Sequence, residues 1–215
     1  MERVEKRKYV KHIESQQTVI LDRAERLFVD RGVENVTFSD IAAAAGVTRA
    51  TLYRYYENKQ RVLWGVYNRQ MESFGQNVAP ELEHFSGTTY ERLSFYMHML
   101  TRSYADAPET YRFMDVFFQT YQEATTEEGR PTYREMHGDG FGTGDTVRLL
   151  SADFHDGSVR PELDPVPTVT ALVYGVMSML FYLPKCAQGL SVKYGVTDQL
   201  VLNTCVDAML AAIRA

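Results

Sequence analysis

The run Thr48-Arg49-Ala50-Thr51-Leu52-Tyr53-Arg54-Tyr55-Tyr56, followed at once by Asn58-Lys59, gathers the side chains of this sequence best suited to gripping a polyanion. An arginine can donate two parallel bonds to a guanine edge, and a threonine offers both a hydroxyl and a methyl to bases. Thr48, Arg49 and Thr51 are the candidate base readers, with Arg54 a second reader or a phosphate contact. Lys59 stands in the first turn of a helix, where a cation opposes the helix dipole by about 0.3–1 kcal/mol. A phosphate bound by its ammonium and the free amides there would reverse that penalty. Tyr53 and Tyr55 add hydroxyls suited to the same backbone. The alternative for each is an ordinary solvated side chain on a surface helix.

Other chemistry is poorly supported. Gly138-Asp139-Gly140-Phe141-Gly142-Thr143-Gly144-Asp145 superficially suggests a phosphate loop or a cation site. It follows no strand, lacks the lysine of such loops and misses the calcium-loop spacing. The five histidines have no ligand spacing, so no metal, no cofactor and no catalytic residue is expected. Cys186 and Cys205 sit in apolar helical surroundings without paired spacing, as buried thiols in a reducing cytoplasm do.

The elements that must position the candidate readers are legible. Ile20, Ala24, Leu27 and Phe28 recur at i, i+4, i+7 and i+8 and predict a helix over 15–31, stopped by Gly32. Thr37 and Asp40 are spaced as a capping box, with Val36 and Ile41 as its hydrophobic staple. The helix so started carries Ala42 to Ala45 and ends at Gly46. Thr48 then caps the next helix, whose Leu52 faces inward, giving two short helices joined by a glycine turn. Asn58 opens a long helix with Trp64, Tyr67, Met71, Phe74 and Val78 on one face, which Pro80 is expected to end.

Beyond it, Leu93, Met97, Leu100 and Tyr104 form a seam, and Asp106-Ala107-Pro108-Glu109 starts a helix bearing Tyr111, Met114, Phe117, Phe118 and Tyr121. Glycines at 138, 140, 142 and 144 would each cost about 1 kcal/mol inside a helix, so that stretch is expected to be a loop or a frayed start. Asp164-Pro165 opens the most apolar helix, kinked or ended by Pro184, and Thr197 to Ile213 supplies the last. The apolar run 171–183 is shorter than the ~20 residues of a membrane span and reads as a buried helix; no membrane partner is expected. No strand is predicted. The fold class is all-α: a basic arm at 1–14, expected to be flexible, a three-helix unit at 15–60, and a larger helical region at 61–215.

With 45% hydrophobic and 24% charged residues the composition is that of a globular protein. A net charge of -5 conceals an asymmetry: residues 1–70 carry 13 basic and 9 acidic side chains, and 71–215 carry 10 and 19. A basic front end on an acidic body can hold phosphates while the body stays in solvent. The N-terminus has no apolar stretch behind its Arg3, Lys6, Arg7, Lys8 and Lys11, so it is not a secretory signal; those cations can lie along phosphates or in the minor groove.

One family joins these features. Ala24-Glu25-Arg26-Leu27-Phe28, Gly32, Thr37, Ile41-Ala42, Ala45-Gly46-Val47-Thr48, Leu52-Tyr53-Arg54-Tyr55-Tyr56 and Asn58-Lys59 resemble, at fixed spacings, the N-terminal pattern of the TetR (tetracycline-repressor-like) bacterial regulators. Tyr56 stands where phenylalanine is usual, and Val62 where leucine is common. The resemblance implies a ligand-responsive regulator that binds a palindromic double-stranded DNA operator as a homodimer, with Thr37, Tyr53, Tyr55 and Lys59 as phosphate contacts. It also implies dimerisation through the last two helices, for which Leu172, Val173, Val176, Leu180, Leu200, Val201, Cys205, Ala208 and Met209 are the candidates.

The middle helices combine large apolar side chains with a few polar ones, the usual make-up of a small-molecule site. Phe95, His98, Met99, Arg102, Phe113, Phe117, Gln119, Tyr121, Tyr174, Met177 and Phe181 are the candidates for holding an effector, expected to be small and hydrophobic or aromatic. The rival readings are an enzyme, or a protein-binding module that kept the fold without binding DNA.

Overall fold

The computed structural model describes residues 2–123 and 143–215, and the glycine-rich segment up to 142 lies outside them. Among the described residues are nine helices, labelled here α1 (Glu2–Arg31), α2 (Phe38–Ala44), α3 (Arg49–Tyr55), α4 (Lys59–Glu83), α5 (Thr89–Asp106), α6 (Pro108–Glu123), α7 (Thr143–Leu150), α8 (Pro165–Tyr194) and α9 (Asp198–Ile213). The only pairing of strand type among them is an isolated antiparallel bridge between Val159 and Arg214. The fold is all-α, as expected.

The described chain divides into two units, one of 2–70 and 113–123 and the other of 71–112 and 143–215. The division falls inside α4, later than the boundary expected at 60. The reason is local: Arg69 and Gln70 are both hydrogen-bonded to side chains of α1, which holds α4 to the first unit as far as Gln70. α1 starts at Glu2, so its helix takes in the residues expected to be a flexible arm.

In the first unit, Ile20, Ala24 and Phe28 of α1 are buried with Ile41 of α2, Leu52 of α3 and Val62, Leu63 and Val66 of α4. Ile20, Ala24, Phe28 and Leu52 lie on the faces read as interior, whereas Val62, Leu63 and Val66 lie outside the stripe of Trp64, Tyr67 and Val78 read for α4, which is itself buried. Trp64 and Tyr67 meet Phe117 of α6, Trp64 edge-on at 4.8 Å and Tyr67 stacked at 4.1 Å between ring centroids.

The second unit is built on α5, α8 and α9, which pack side by side. Leu93, Met97 and Leu100 of α5, Val169, Leu172, Val173, Val176 and Leu180 of α8, and Leu202, Val206 and Leu210 of α9 form its core, joined by Leu150 of α7. α5 starts with a Thr88–Glu91 capping box, and the Asp156 carboxylate accepts the Thr89 amide at 2.6 Å. The C-terminus is tied down by Arg160, whose amide donates to the Ile213 carbonyl, and by Ala215, whose amide donates to that of Ser158.

Pro80 does not end its helix as expected, and of the two outcomes open at Pro184, a kink or an end, the helix does not end there. α4 runs through Pro80 to Glu83, and α8 runs through Pro184 to Tyr194. A proline deletes one amide donor, but the residues after it can still donate. His84 does so, its amide reaching the Pro80 carbonyl at 3.2 Å. α8 is thus a 30-residue helix whose most apolar 18-residue stretch has a mean hydropathy of 1.7, long and apolar enough to cross a membrane by length and composition, unlike the shorter run read from the sequence. Its Val169, Leu172, Val173, Val176, Leu180 and Leu183 are instead buried against their own chain.

Candidate nucleic-acid interface

α3 is held from behind and free in front. α2 starts at Thr37, whose hydroxyl accepts the Asp40 amide while the Asp40 carboxylate takes both the Thr37 amide and its hydroxyl proton. Gly46 turns the chain at φ +67°, a left-handed conformation that glycine adopts without strain. Two residues later Thr48 caps α3, accepting the Thr51 amide at 3.0 Å. Leu52 is 0% exposed and anchors the inner face of α3. Phe38 of α2 supports Tyr53, their ring centroids 4.7 Å apart.

The outer edge of α3 presents Thr48, Arg49 and Arg54 to solvent. Arg49 donates to the Tyr53 hydroxyl at 3.2 Å, and its guanidinium lies 5.6 Å from that ring's centroid. One donor of five is used, which leaves a forked pair for a base. The Thr48 and Thr51 hydroxyls are bonded to each other at 2.8 Å, so the first turn of α3 presents them as a linked pair. Thr51 and Tyr55 are half-buried, Tyr53 about half exposed.

Two of the residues assigned to phosphate stand otherwise than expected. The Thr37 hydroxyl gives its proton to Asp40, whose carboxyl is held below its ordinary range by that bond and by the Thr37 amide. A hydroxyl already donating to an anion has no proton left for a phosphate, so Thr37 is a helix cap. Lys59 is half-buried and donates to the Val33 carbonyl at 2.7 Å, between α1 and α2. An ammonium has three donors, so Lys59 can clamp that turn and still hold a phosphate. Asn58 caps α4 through the Arg61 amide, as its sequence position implied.

The seam behind these helices was not legible in the sequence. Arg69 of α4 donates to Asp22 at 2.6 Å and to Glu25 at 2.8 Å, and Gln70 donates to the other Glu25 oxygen at 2.8 Å. Burial raises the Glu25 carboxyl above its usual range against the pull of Arg69. Tyr56, the C-cap of α3, is half-buried, and burial likewise raises its hydroxyl. Pairs more than 40 residues apart leave no periodic trace, which is why spacing alone did not find them.

The effector candidates divide between the two units. In the first, Phe113 and Phe117 are buried core, Gln119 is exposed and bonded to Asp115 at 2.9 Å, and Tyr121 lies on α6 with its side chain outside what is described. In the second, Phe95, Met99, Met177 and Phe181 are half-buried against the core. His98 is committed to Asp207 at 3.2 Å and to the Ser94 carbonyl at 2.8 Å. Arg102 and Tyr174 are exposed and line no interior.

The dimer candidates need a correction as well. Leu172, Val173, Val176 and Leu180 are at most 4% exposed within the single chain, and a side chain with no free area has none to give a second copy. Val201, Cys205 and Met209 are half-buried, the Met209 methyl lying 2.9 Å from where a Cβ on Gly175 would stand. Leu200 and Ala208 are exposed. The exposed stripe of α8 consists of Ala171, Tyr174, Ser178, Tyr182 and Lys185, at intervals of three and four.

A braced helix-turn-helix with an arginine-bearing outer edge is a geometry suited to a DNA major groove. Residues 20–63 match the family model described as bacterial regulatory proteins, tetR family, so the segment that carries α2 and α3 is similar to the domain that model describes. The chain is 39% identical over 59 residues to an HTH-type transcriptional regulator of Mycobacterium tuberculosis, a match covering 27% of this chain and 29% of that relative. The chain therefore spans under a third of the length of the first curated relatives it matches. Over a longer stretch of 158 residues it is 28% identical to the HTH-type transcriptional repressor KstR2 of Rhodococcus jostii, covering 68% of this chain and 69% of that one. The fold is shared with the ketosteroid transcriptional regulator KstR2 of M. tuberculosis, at a TM-score of 0.64 and 18% identity over 93% of this chain and 95% of that one. It is shared too with the transcriptional regulator FadR of Bacillus subtilis in complex with stearoyl-CoA, at 0.66 and 17% over 92% and 99%.

Proposed function

We propose that the chain is a ligand-responsive transcriptional repressor that binds a palindromic operator as a homodimer and is released by a small hydrophobic or aromatic effector. The observation that carries this reading is the exposed edge of α3, where Arg49 and Arg54 stand on a helix whose opposite side is fixed by the fully buried Leu52. A helix so held can enter a major groove without losing its own support. The excess of basic side chains in residues 1–70 supplies attraction to phosphate that does not depend on sequence.

One reading helix makes three or four base contacts of about 1–3 kcal/mol each, too little to single out an operator in a genome. Two copies acting together supply the rest, which is the argument for a dimer. Its interface is formed by the exposed stripe of α8, with Tyr174 and Tyr182 as the large side chains, and by Leu200 and Ala208 of α9. The half-buried Phe95, Met99, Met177 and Phe181 supply the apolar lining for an effector. An apolar effector is favoured by the ketosteroid and stearoyl-CoA named for two fold neighbours.

Selection of bound duplexes from a random pool tests the reading. The expected product is a two-fold symmetric sequence with half-sites about 34 Å apart, one helical turn, or a multiple of that. A purified chain with no preference among duplexes at low salt, with and without steroid or acyl-thioester ligands, would rule the reading out.

A further inference from the structure

α1 and α4 meet along a seam in the first unit, with Leu21, Asp22 and Glu25 on α1 and Gly65 and Arg69, one helical turn apart, on α4. The ring of Tyr56 occupies this seam. A Cβ on Gly65 would lie 3.2 Å from Tyr56 Cε1 and 3.0 Å from Leu21 Cδ2, so the slot is as wide as the missing side chain allows. Tyr56 caps α3, its amide donating to the Leu52 carbonyl at 3.0 Å. The width of the slot thus bears on the last turn of the reading helix.

The same two helices are joined by the Arg69 guanidinium, with one nitrogen on Asp22 and the other on Glu25. The pair with Asp22, 53% exposed, adds little to stability, while the pair with Glu25, 15% exposed, is the more enclosed of the two. A planar fork spread over two carboxylates of one helix face does something else, since it admits a single register between the helices. Gln70 takes the remaining Glu25 oxygen, and Arg69 also donates to the Thr18 carbonyl at 3.4 Å, so the arrangement cannot slide without breaking these four bonds together.

We infer that Arg69 is a positioning residue for DNA recognition: its fork on Asp22 and Glu25 fixes α4 against α1, holds the slot around Tyr56 at one width, and through Tyr56 gives α3 one orientation. This rests on the regulator reading. Loss of the fork leaves the phosphate-binding cations in place but lets α3 tilt, so sequence discrimination suffers and sequence-independent binding does not. A purely structural role would lower the folded fraction and weaken both alike.

The test compares the full-length chain with Arg69→Met, using a duplex taken from the random pool and a scrambled duplex of equal length and composition, by fluorescence anisotropy over a salt series. The expected result is an affinity for the selected duplex reduced at least about tenfold, the size of one lost base contact, with scrambled-duplex affinity and salt slope within about twofold. Arg69→Lys, which reaches one carboxylate, recovers part of the loss. Gly65→Ala, which pushes on Tyr56 with the fork intact, produces the same loss of discrimination. Equal weakening on both duplexes, or none on either, overturns the inference. Should Arg69→Met fail to fold by circular dichroism, Glu25→Gln and Gly65→Ala are judged by the same criteria. If the unaltered chain discriminates and all variants do too, this inference alone fails; if the unaltered chain shows no preference, the regulator reading fails and carries this inference with it.

Discussion

On the regulator proposal, Arg49 and Lys59 would hold a duplex in two different ways, and both candidates are readable from residue type alone. Arg49 is exposed, with most of its donors free, so Arg49→Ala should relax sequence choice while sparing binding to unrelated duplexes. Lys59→Ala should weaken binding to every duplex about equally and lower the salt slope by about one phosphate. Because Lys59 also satisfies the Val33 carbonyl, the same variant should melt at a lower temperature, which Arg49→Ala should not. Duplex titrations across salt, with thermal melts of each protein, check all three outcomes. Residue type could suggest that Lys59 binds an anion, but not that it bonds a carbonyl 26 positions away, and the double bonding of the Thr37 hydroxyl was equally hidden.

At the scale of elements, local signals were reliable and distant ones were not. The Thr37–Asp40 capping box, the Gly46 turn, the Thr48 cap and the Asn58 cap all stand where short-range rules placed them, because each is completed within three or four residues. Pro80 misled, because a proline's effect on a helix depends on the packing of the next turn. The start of α5 shows a cap no local pattern reveals. Asp156 accepts the Thr89 amide and the Ser158 amide and hydroxyl across a separation of up to 67 residues.

Burial alone would raise the Asp156 carboxyl, but the hydrogen bonds from Ser158 and Thr89 prevail and bring it down to about 2 from its ordinary 3.8. A depressed folded-state value means a contribution fully present above the unfolded value and lost as pH falls through about 2. Asp156→Asn should therefore be less stable than the unaltered chain at pH 7, with the gap closing between about pH 4 and pH 2. Urea midpoints across that range measure it; a gap independent of pH would contradict the assignment.

For the whole molecule, the sequence showed which helices are most apolar but not how that apolar surface is shared. α8 has apolar or small side chains on most of its circumference, and periodicity could not say which stripe serves its own chain. The structure gives Leu172, Val173, Val176 and Leu180 to the core and leaves Tyr174 and Tyr182, 58% and 65% exposed, outside. On the dimer proposal, replacing both by glutamate should give a folded monomer by sedimentation whose affinity for a two-half-site duplex falls by at least about a hundredfold, while a single half-site is bound as before. A double variant that still sediments as a dimer would place the contact elsewhere.

The first unit also carries its own optical probe. Trp64 is the chain's sole tryptophan, enclosed by Tyr67 and Phe117. Indole emission therefore originates at one known spot, while ellipticity is summed over every helix. Heating a single sample and recording both signals would tell whether the reading head loosens before the rest of the chain, with no dye attached.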